Sequence, residues 1–146
     1  MLVDLDGIER ALLRARQQHP IRSELRSELA LDLDSLLSTP PDGPKVPDWL
    51  SPAHIRIDDL TREIATLLGR DALEGGKVEE ALALGQRILD RDACDEPARE
   101  LRIRALLNRG DLASACREFR VYREVLASEL GAKPSAALAA LVATAS

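Results

Sequence analysis

The strongest constraint on the fold is an internal repeat with an offset of 34 residues. Residues 76–81 (GKVEEA) align with residues 110–115 (GDLASA), so each segment begins with glycine and places an alanine five residues later. Each then continues as an amphipathic helical pattern that ends near a proline. The small residues Ala81 and Ala115 let antiparallel helices approach closely. Such helix–turn–helix units must stack, because one alone cannot bury its apolar face.

Composition supports helices and argues against sheets. Leu and Ala together supply 47 residues, whereas Val and Ile supply 13 and the aromatic residues are Trp49, Phe119 and Tyr122. Leu and Ala favour helices, while strands favour β-branched and aromatic side chains. The 34-residue period is that of the tetratricopeptide repeat (TPR). We therefore predict an all-α, TPR-like stack of antiparallel helical hairpins, an α-solenoid of six to seven helices.

The helical periodicity also predicts where the individual helices lie and what they bury. We expect Leu31 to widen the buried stripe of the second helix, and Leu130 to be buried at the end of the sixth. Residues 97–109 are apolar on more than one face, which indicates a helix packed between two neighbours. The predicted helices cover residues 4–18, 21–37, 51–74, 77–91, 97–109 and 112–130, with a short last helix that opens at residues 133–135.

One irregular stretch divides the chain. Residues 38–48 contain four prolines, which forbid a helix there. We interpret residues 1–146 as a single domain, with a helix pair over 1–37, a Pro-rich loop over 38–50 and a TPR-like core over 51–146. Trp49 is expected to anchor the loop, and Ser51 to cap the helix that follows it.

Charge and apolar patterning exclude several classes of protein. The net charge of −5 leaves no broad basic excess for nucleic-acid phosphates. No apolar run approaches the ~20 residues of a membrane helix, and the acidic N-terminal residues do not resemble a signal peptide. Cys94 and Cys116 are too few for a disulfide framework, so we expect free thiols, a cytoplasmic location and no membrane partner.

The residues that could carry chemistry do not form a catalytic, cofactor or metal site. Residues 69–78 differ from a phosphate-binding loop in spacing, and Val78 replaces the required hydroxyl. His19 and His54 stand 35 residues apart without further metal ligands, and neither cysteine has a neighbouring His or Asn. We predict that the chain is not an enzyme and has no cofactor.

Arginines at helical spacing form the one candidate binding surface. Residues 99, 102 and 109 share a helix stripe, and two more arginines lie together on the next helix. One hypothesis is that these side chains bind an acidic peptide or protein segment. The alternative is that they pair with neighbouring glutamates, among them Glu118. The candidate residues are Arg99, Arg102, Arg109, Arg117 and Arg120.

The C-terminal part of the chain carries motifs of a known family. Residues 126–135 (LASELGAKPS) resemble the "L-x-x-E-L-G-x-x-P-S" close of the bacterial transcriptional activator domain, the TPR-like C-terminal module of SARP-type transcriptional regulators. Residues 92–97 (DACDEP) resemble its "D-P-L-D-E-P" turn, residues 108–111 (NRGD) its "x-x-G-D" turn, and residues 117–123 its "x-x-Y-x-x-x-R" helix with Phe119 at the aromatic position. Further similarity lies around Trp49 and over residues 4–13.

The resemblance implies a regulatory interaction domain credited with self-association and transcriptional activation. The implied partners are a second copy of the chain (a homodimer), another protein, or the transcription machinery. DNA is expected to be reached only through an attached winged-helix domain, which is absent from these residues. The alternative is a stand-alone TPR-like adaptor or assembly scaffold outside transcription; an enzyme ranks third.

Overall fold

The computed structural model describes residues 5–18, 21–38 and 52–145, with the side chains of the last range described from residue 56. Within these ranges the chain forms helices and no strand, which confirms the all-α prediction. The predicted Pro-rich loop beyond residue 38, the Trp49 anchor and the Ser51 cap lie outside the described residues. The helices are α1 Leu5–Arg16, α2 Ser23–Leu37, α3 Pro52–Glu74, α4 Val78–Arg91, α5 Glu96–Asn108, α6 Leu112–Leu130 and α7 Ala136–Ala145.

The chain divides into two compact units, Met1–Leu68 and Gly69–Ser146, with the boundary inside α3. The interpretation of the whole chain as one domain therefore stays a prediction. In the first unit α1 packs against α2. Its buried residues recur at helical spacing, as the sequence predicts for these two helices. They are Ile8, Ala11, Leu12 and Ala15 on α1 and Leu25, Leu29, Leu33 and Leu36 on α2.

In the second unit, α5 is the central helix. It packs against α4, α6 and α7, so the prediction of a helix between neighbours is confirmed. Ile103 and Ala105 are fully buried, although they lie on different sides of α5. The core that surrounds them comprises Ala72, Ala81, Leu82, Leu101, Leu106, Ala115, Tyr122, Leu126, Leu138 and Val142.

Two turns of the same geometry reproduce the 34-residue repeat. Gly76 and Gly110 both adopt positive φ, at 73° and 78°. After each glycine the next backbone N–H reaches back to a helix carbonyl, from Lys77 to Ala72 at 2.8 Å and from Asp111 to Leu106 at 2.9 Å. This hydrogen bond ends the preceding helix, and the glycine before it adopts the left-handed conformation. Glycine can do so because it has no Cβ. Both repeats, which lie in the second unit, therefore begin with the same turn.

Short polar side chains begin three of the helices in the second unit. The carboxylates of Asp95 and Asp111 accept hydrogen bonds from the N–H groups of Ala98 and Ser114, at 3.0 and 3.1 Å. The last helix opens near residues 133–135 as predicted, and the Ser135 hydroxyl caps it by accepting from Leu138 N at 3.2 Å. These caps satisfy N–H groups that have no partner inside the helix.

Two leucines expected in the interior lie on the surface. Leu31 is 67% exposed and Leu130 is 66% exposed, so the prediction that they are buried is wrong. Leu31 lies two residues from both Leu29 and Leu33, which turns it about 200° away from the buried side of α2. Leu130 is the last residue of α6, and the chain turns away at Gly131.

Candidate functional site

The five candidate arginines lie in two different environments. Arg99 is 6% exposed, and the side chain of Arg102 is 20% exposed. Arg109, Arg117 and Arg120 are exposed. The structure thus brings two of the five together in the interior and leaves three at the surface. Their predicted role in partner binding stays a prediction.

The two interior arginines share one carboxylate. Arg99 Nη1 and Arg102 Nε donate to Glu118 Oε1 at 3.2 and 2.5 Å, which joins α5 to α6. We call Arg99, Arg102 and Glu118 the ionic cluster. Arg102 Nη1 also donates to the carbonyl of Leu82 at 3.0 Å, so one guanidinium links α4, α5 and α6. The alternative interpretation from sequence, pairing with Glu118, describes these two arginines.

A glycine makes room for the ionic cluster. A Cβ at Gly85 would lie 2.6 Å from Arg102 Cγ and 3.0 Å from the carbonyl oxygen of Ala98. A real Cβ does not make a contact of 2.6 Å and only rarely makes one of 3.0 Å, so α4 approaches α5 closely because residue 85 lacks a side chain.

Tyr122 completes the buried polar network next to the ionic cluster. The Arg99 guanidinium lies over its ring, 5.3 Å from the centroid, a distance typical of a cation–π contact. The hydroxyl donates to the Cys94 carbonyl at 3.1 Å and lies 3.4 Å from Glu96 Oε1. Burial, and secondarily the Glu96 carboxylate, raises the pKa of Tyr122 well above its ordinary value. The folded chain therefore favours the neutral phenol over the phenolate.

Glu96 connects this network to the last helix. Its Oε1 accepts a hydrogen bond from Ser135 N at 2.9 Å, at the start of α7. Cys94, whose carbonyl meets Tyr122, is a half-buried free thiol. Burial, and next the Asp92 carboxylate, raises the pKa of the Cys94 thiol, which disfavours a reactive thiolate.

The exposed arginines differ in their pairing. Arg109 forms an ion pair with Glu79 at the start of α4. Within the described residues, Arg117 and Arg120 form no ion pair. They lie on the same side of α6 as Val121, which is 44% exposed, and as Glu124. We call Arg117, Arg120, Val121 and Glu124 the α6 outer face. An exposed aliphatic side chain next to exposed guanidiniums suits contact with an acidic, partly apolar surface.

The described residues contain no group of three His, Cys, Asp or Glu side chains placed to hold a metal ion. The same part of the chain contains no helix with the length and hydropathy needed to cross a bilayer.

Comparison with known families identifies the chain. Residues 3–144 match the bacterial transcriptional activator domain. The chain belongs to this family. No curated protein matches it, and no solved structure matches it either. As a bacterial transcriptional activator domain, it is a regulatory domain related to transcriptional activators.

The motifs that indicate the bacterial transcriptional activator domain have structural roles in this chain. Gly131, in the "E-L-G" part of the closing motif, takes the left-handed conformation at φ 61° and ends α6. Ser135, at the end of the same motif, caps α7. In the "D-E-P" turn, Asp95 caps α5 and Glu96 binds both Tyr122 and Ser135. These residues fix how α5, α6 and α7 meet, and none forms a reactive constellation.

Sequence reasoning missed Glu118 as the centre of the ionic cluster and Tyr122 as a polar partner. The sequence indicates Glu118 only as one of several glutamates that could pair with the arginines, and Tyr122 only as one of three aromatic residues. The i, i+3 spacing of Arg99 and Arg102 is the one signal that points to a shared partner, but it does not say on which helix that partner lies.

Proposed function

We propose that this chain is the regulatory protein-interaction domain of a bacterial transcriptional regulator. It contacts proteins, either a second copy of itself or the transcription machinery, and does not itself bind DNA. The observation that carries the proposal is the α6 outer face of this chain, which is exposed and whose arginines form no ion pair within the described residues. We assign no chemical reaction to the chain.

Charge supports a protein partner over DNA. The chain has 25 acidic and 20 basic residues. DNA binding depends on neutralising many phosphates at once, and an acidic chain with a few exposed arginines on one helix is poorly suited to that. An acidic protein segment needs only a few guanidiniums placed at helical spacing. Arg117 and Arg120, which lie three residues apart on α6, meet that requirement.

The buried contacts between α5 and α6 support the same function. The ionic cluster and Tyr122 fix α6 against α5 through buried, hydrogen-bonded groups. A contact face on such a fixed helix loses little conformational entropy when a partner binds. Arg99 and Arg102 thus act as positioning residues, because they hold the helix α6 that presents the exposed arginines.

The experiment is a tethered reporter assay in bacteria. The chain is fused to an unrelated DNA-binding domain whose site lies upstream of a reporter promoter. We expect the fusion to change reporter transcription several-fold, and the double variant Arg117→Glu/Arg120→Glu to lose that effect. The matched control is Arg70→Glu, an exposed arginine of α3 without an ion pair in the described residues.

The assay has two outcomes that contradict the proposal. One is a fusion that leaves transcription unchanged. The other is a chain that shifts duplex DNA in a gel at physiological salt without the fused domain, because that would assign DNA binding to the chain itself.

A further inference from the structure

The second unit contains a cleft that the proposed function does not use. The cleft is lined by the C-terminal ends of α3 and α5 and by α7, and not by the helix that carries the α6 outer face. Its volume is about 350 Å³, which lies within the range of sites that bind small molecules. We call it the α3–α5–α7 cleft, and its lining residues are Leu73, Glu74, Arg104, Leu107, Asn108 and Leu141.

The apolar part of the cleft comes from one leucine on each of the three helices. Leu73, Leu107 and Leu141 pack against the core of the second unit but remain partly exposed. An aliphatic group that enters between them removes apolar surface from water on several sides at once, which is favourable. The three leucines therefore suit a short aliphatic chain.

The polar part of the cleft carries one group of each charge and one amide. Glu74 forms no ion pair within the described residues, and Arg104 pairs only with Glu100, at 3.4 Å on the exposed side of α5. Such a pair contributes little to stability, so it can give way to a ligand. The Asn108 side chain forms no hydrogen bond in the same part of the chain. Opposite charges thus line one cleft without pairing with each other.

The two charged groups lie where a ligand of both signs would be bound. Glu74 is the last residue of α3, and the last turn of that helix carries no basic residue. The C-terminal end of a helix has partial negative charge, so it disfavours a carboxylate and favours an ammonium group beside it. Arg104, one turn before the end of α5, offers guanidinium N–H groups to a carboxylate.

From this lining we propose that the α3–α5–α7 cleft binds a free aliphatic α-amino acid of about the size of leucine. The ligand's ammonium group meets Glu74, its carboxylate meets Arg104, and its side chain lies between the three leucines. The Asn108 amide has both donors and an acceptor, so it serves either end of the ligand. This site adds a small-molecule ligand to the proposed function and does not depend on the α6 outer face.

Other ligands of similar size use only part of the cleft. A fatty acid leaves Glu74 without a partner, and an alkylamine leaves Arg104 without one. A residue inside a peptide chain has neither a free ammonium group nor a free backbone carboxylate. The presence of both charges in the lining therefore favours the free amino acid over each of these classes.

The experiment is a titration of the full chain with L-leucine, measured by isothermal calorimetry. We expect saturable binding with a dissociation constant at or below about 1 mM. Arg104→Gln and Glu74→Gln each remove one charged partner and should weaken binding at least about fivefold. The matched controls are Arg123→Gln and Glu80→Gln, at exposed positions outside the cleft, and they should bind leucine like the wild type.

Analogues of leucine identify which groups of the ligand are bound. Isocaproate lacks the ammonium group, isoamylamine lacks the carboxylate and glycine lacks the aliphatic side chain, so each should bind at least about fivefold more weakly than leucine. N-acetyl-leucinamide represents a leucine inside a peptide, and it overturns the inference if it binds as tightly as leucine does.

Two further results would overturn the inference. One is a wild type that shows no leucine binding at concentrations up to about 10 mM. The other is leucine binding that Arg104→Gln and Glu74→Gln leave unchanged. Both substitutions replace exposed side chains, and helical circular dichroism verifies that each variant is folded. Because the tethered reporter depends on the α6 outer face, failure of the leucine site leaves the proposed function intact.

Discussion

Gly85 on α4 and Arg102 on α5 occupy one shared space, so that a Cβ on the glycine would lie 2.6 Å from Arg102 Cγ. This close approach brings the Arg102 guanidinium to the Leu82 carbonyl on one side and to Glu118 on the other. The missing side chain at residue 85 is therefore what allows a charged side chain to fill the space between three helices.

Gly85→Ala tests this relationship. Alanine is about 1 kcal/mol better than glycine in an unhindered helix, but overpacking a tight contact costs about 1–3 kcal/mol. Because the Ala98 carbonyl also lies 3.0 Å from the added atom, we expect a net loss of stability in urea unfolding. Ala83→Gly, at an exposed position of α4, is the control and should cost about 1 kcal/mol by propensity alone. A Gly85→Ala chain as stable as the wild type would show that α4 and α5 do not approach this closely.

Glu118→Gln tests the ionic cluster. The substitution leaves two guanidiniums without a counter-charge, at side-chain exposures of 8% and 20%. We expect the free energy of unfolding to fall by about 2–4 kcal/mol, near the range for breaking a buried ion pair. Glu100→Gln removes an exposed pair with Arg104 and should cost less than about 1 kcal/mol. Equal effects of the two substitutions would contradict the burial of the cluster.

The ionisation of Tyr122 tests its burial. The folded state raises the pKa of this phenol, so its contribution to stability is complete below the ordinary value near 10 and is lost as the pH rises beyond it. In that range one such group lowers the stability by about 1.4 kcal/mol per pH unit. Because Tyr122 is the single tyrosine, absorbance at alkaline pH reports it alone. We expect phenolate to appear together with unfolding. A phenolate that forms near pH 10 in a chain with intact helical circular dichroism would refute this.

The stability of the chain at acid pH tests whether Asp111 caps α6. Its hydrogen bond with Ser114 lowers the pKa of the carboxyl, so the stabilising contribution is present above the ordinary Asp value and is lost as the pH falls. We expect Asp111→Asn to keep the cap near neutral pH and to weaken the decline of stability toward pH 3 (measured by urea unfolding). Asp111→Ala should lose stability at neutral pH too. If the free energy of unfolding fell equally toward pH 3 in the wild type and in Asp111→Asn, this contribution would be disproved.

The bounds of the helices follow from local signals. Residues 112–130 were predicted as one helix and form α6, because Asp111 caps its start and Gly131 ends it. The repeat between residues 76 and 110 is also local, since each turn depends on one glycine with positive φ. Sequence spacing therefore predicts the elements, their order and most of their buried stripes.

The candidate site depends on contacts between helices, which spacing does not show. Arginines at i, i+3 look like a solvated face, yet Arg99 and Arg102 are interior because Glu118 comes to them from α6. The prediction for Leu31 is wrong in the opposite direction. A leucine next to the buried stripe of α2 is expected to be buried with that stripe, but Leu31 is exposed. In both cases the position on the helix, and the neighbour opposite it, decides burial more than residue type.

Photo-crosslinking at Val121 is the measurement that tests the central claim most directly. A photoreactive amino acid replaces Val121 on the α6 outer face of the chain in its source cells, and Ala83, exposed on α4, is the matched control position. If α6 presents a protein-contact surface, Val121 yields a discrete protein adduct that Arg117→Glu/Arg120→Glu abolishes, while Ala83 yields none. An absence of adduct at Val121, or the same adducts from both positions, would contradict the account.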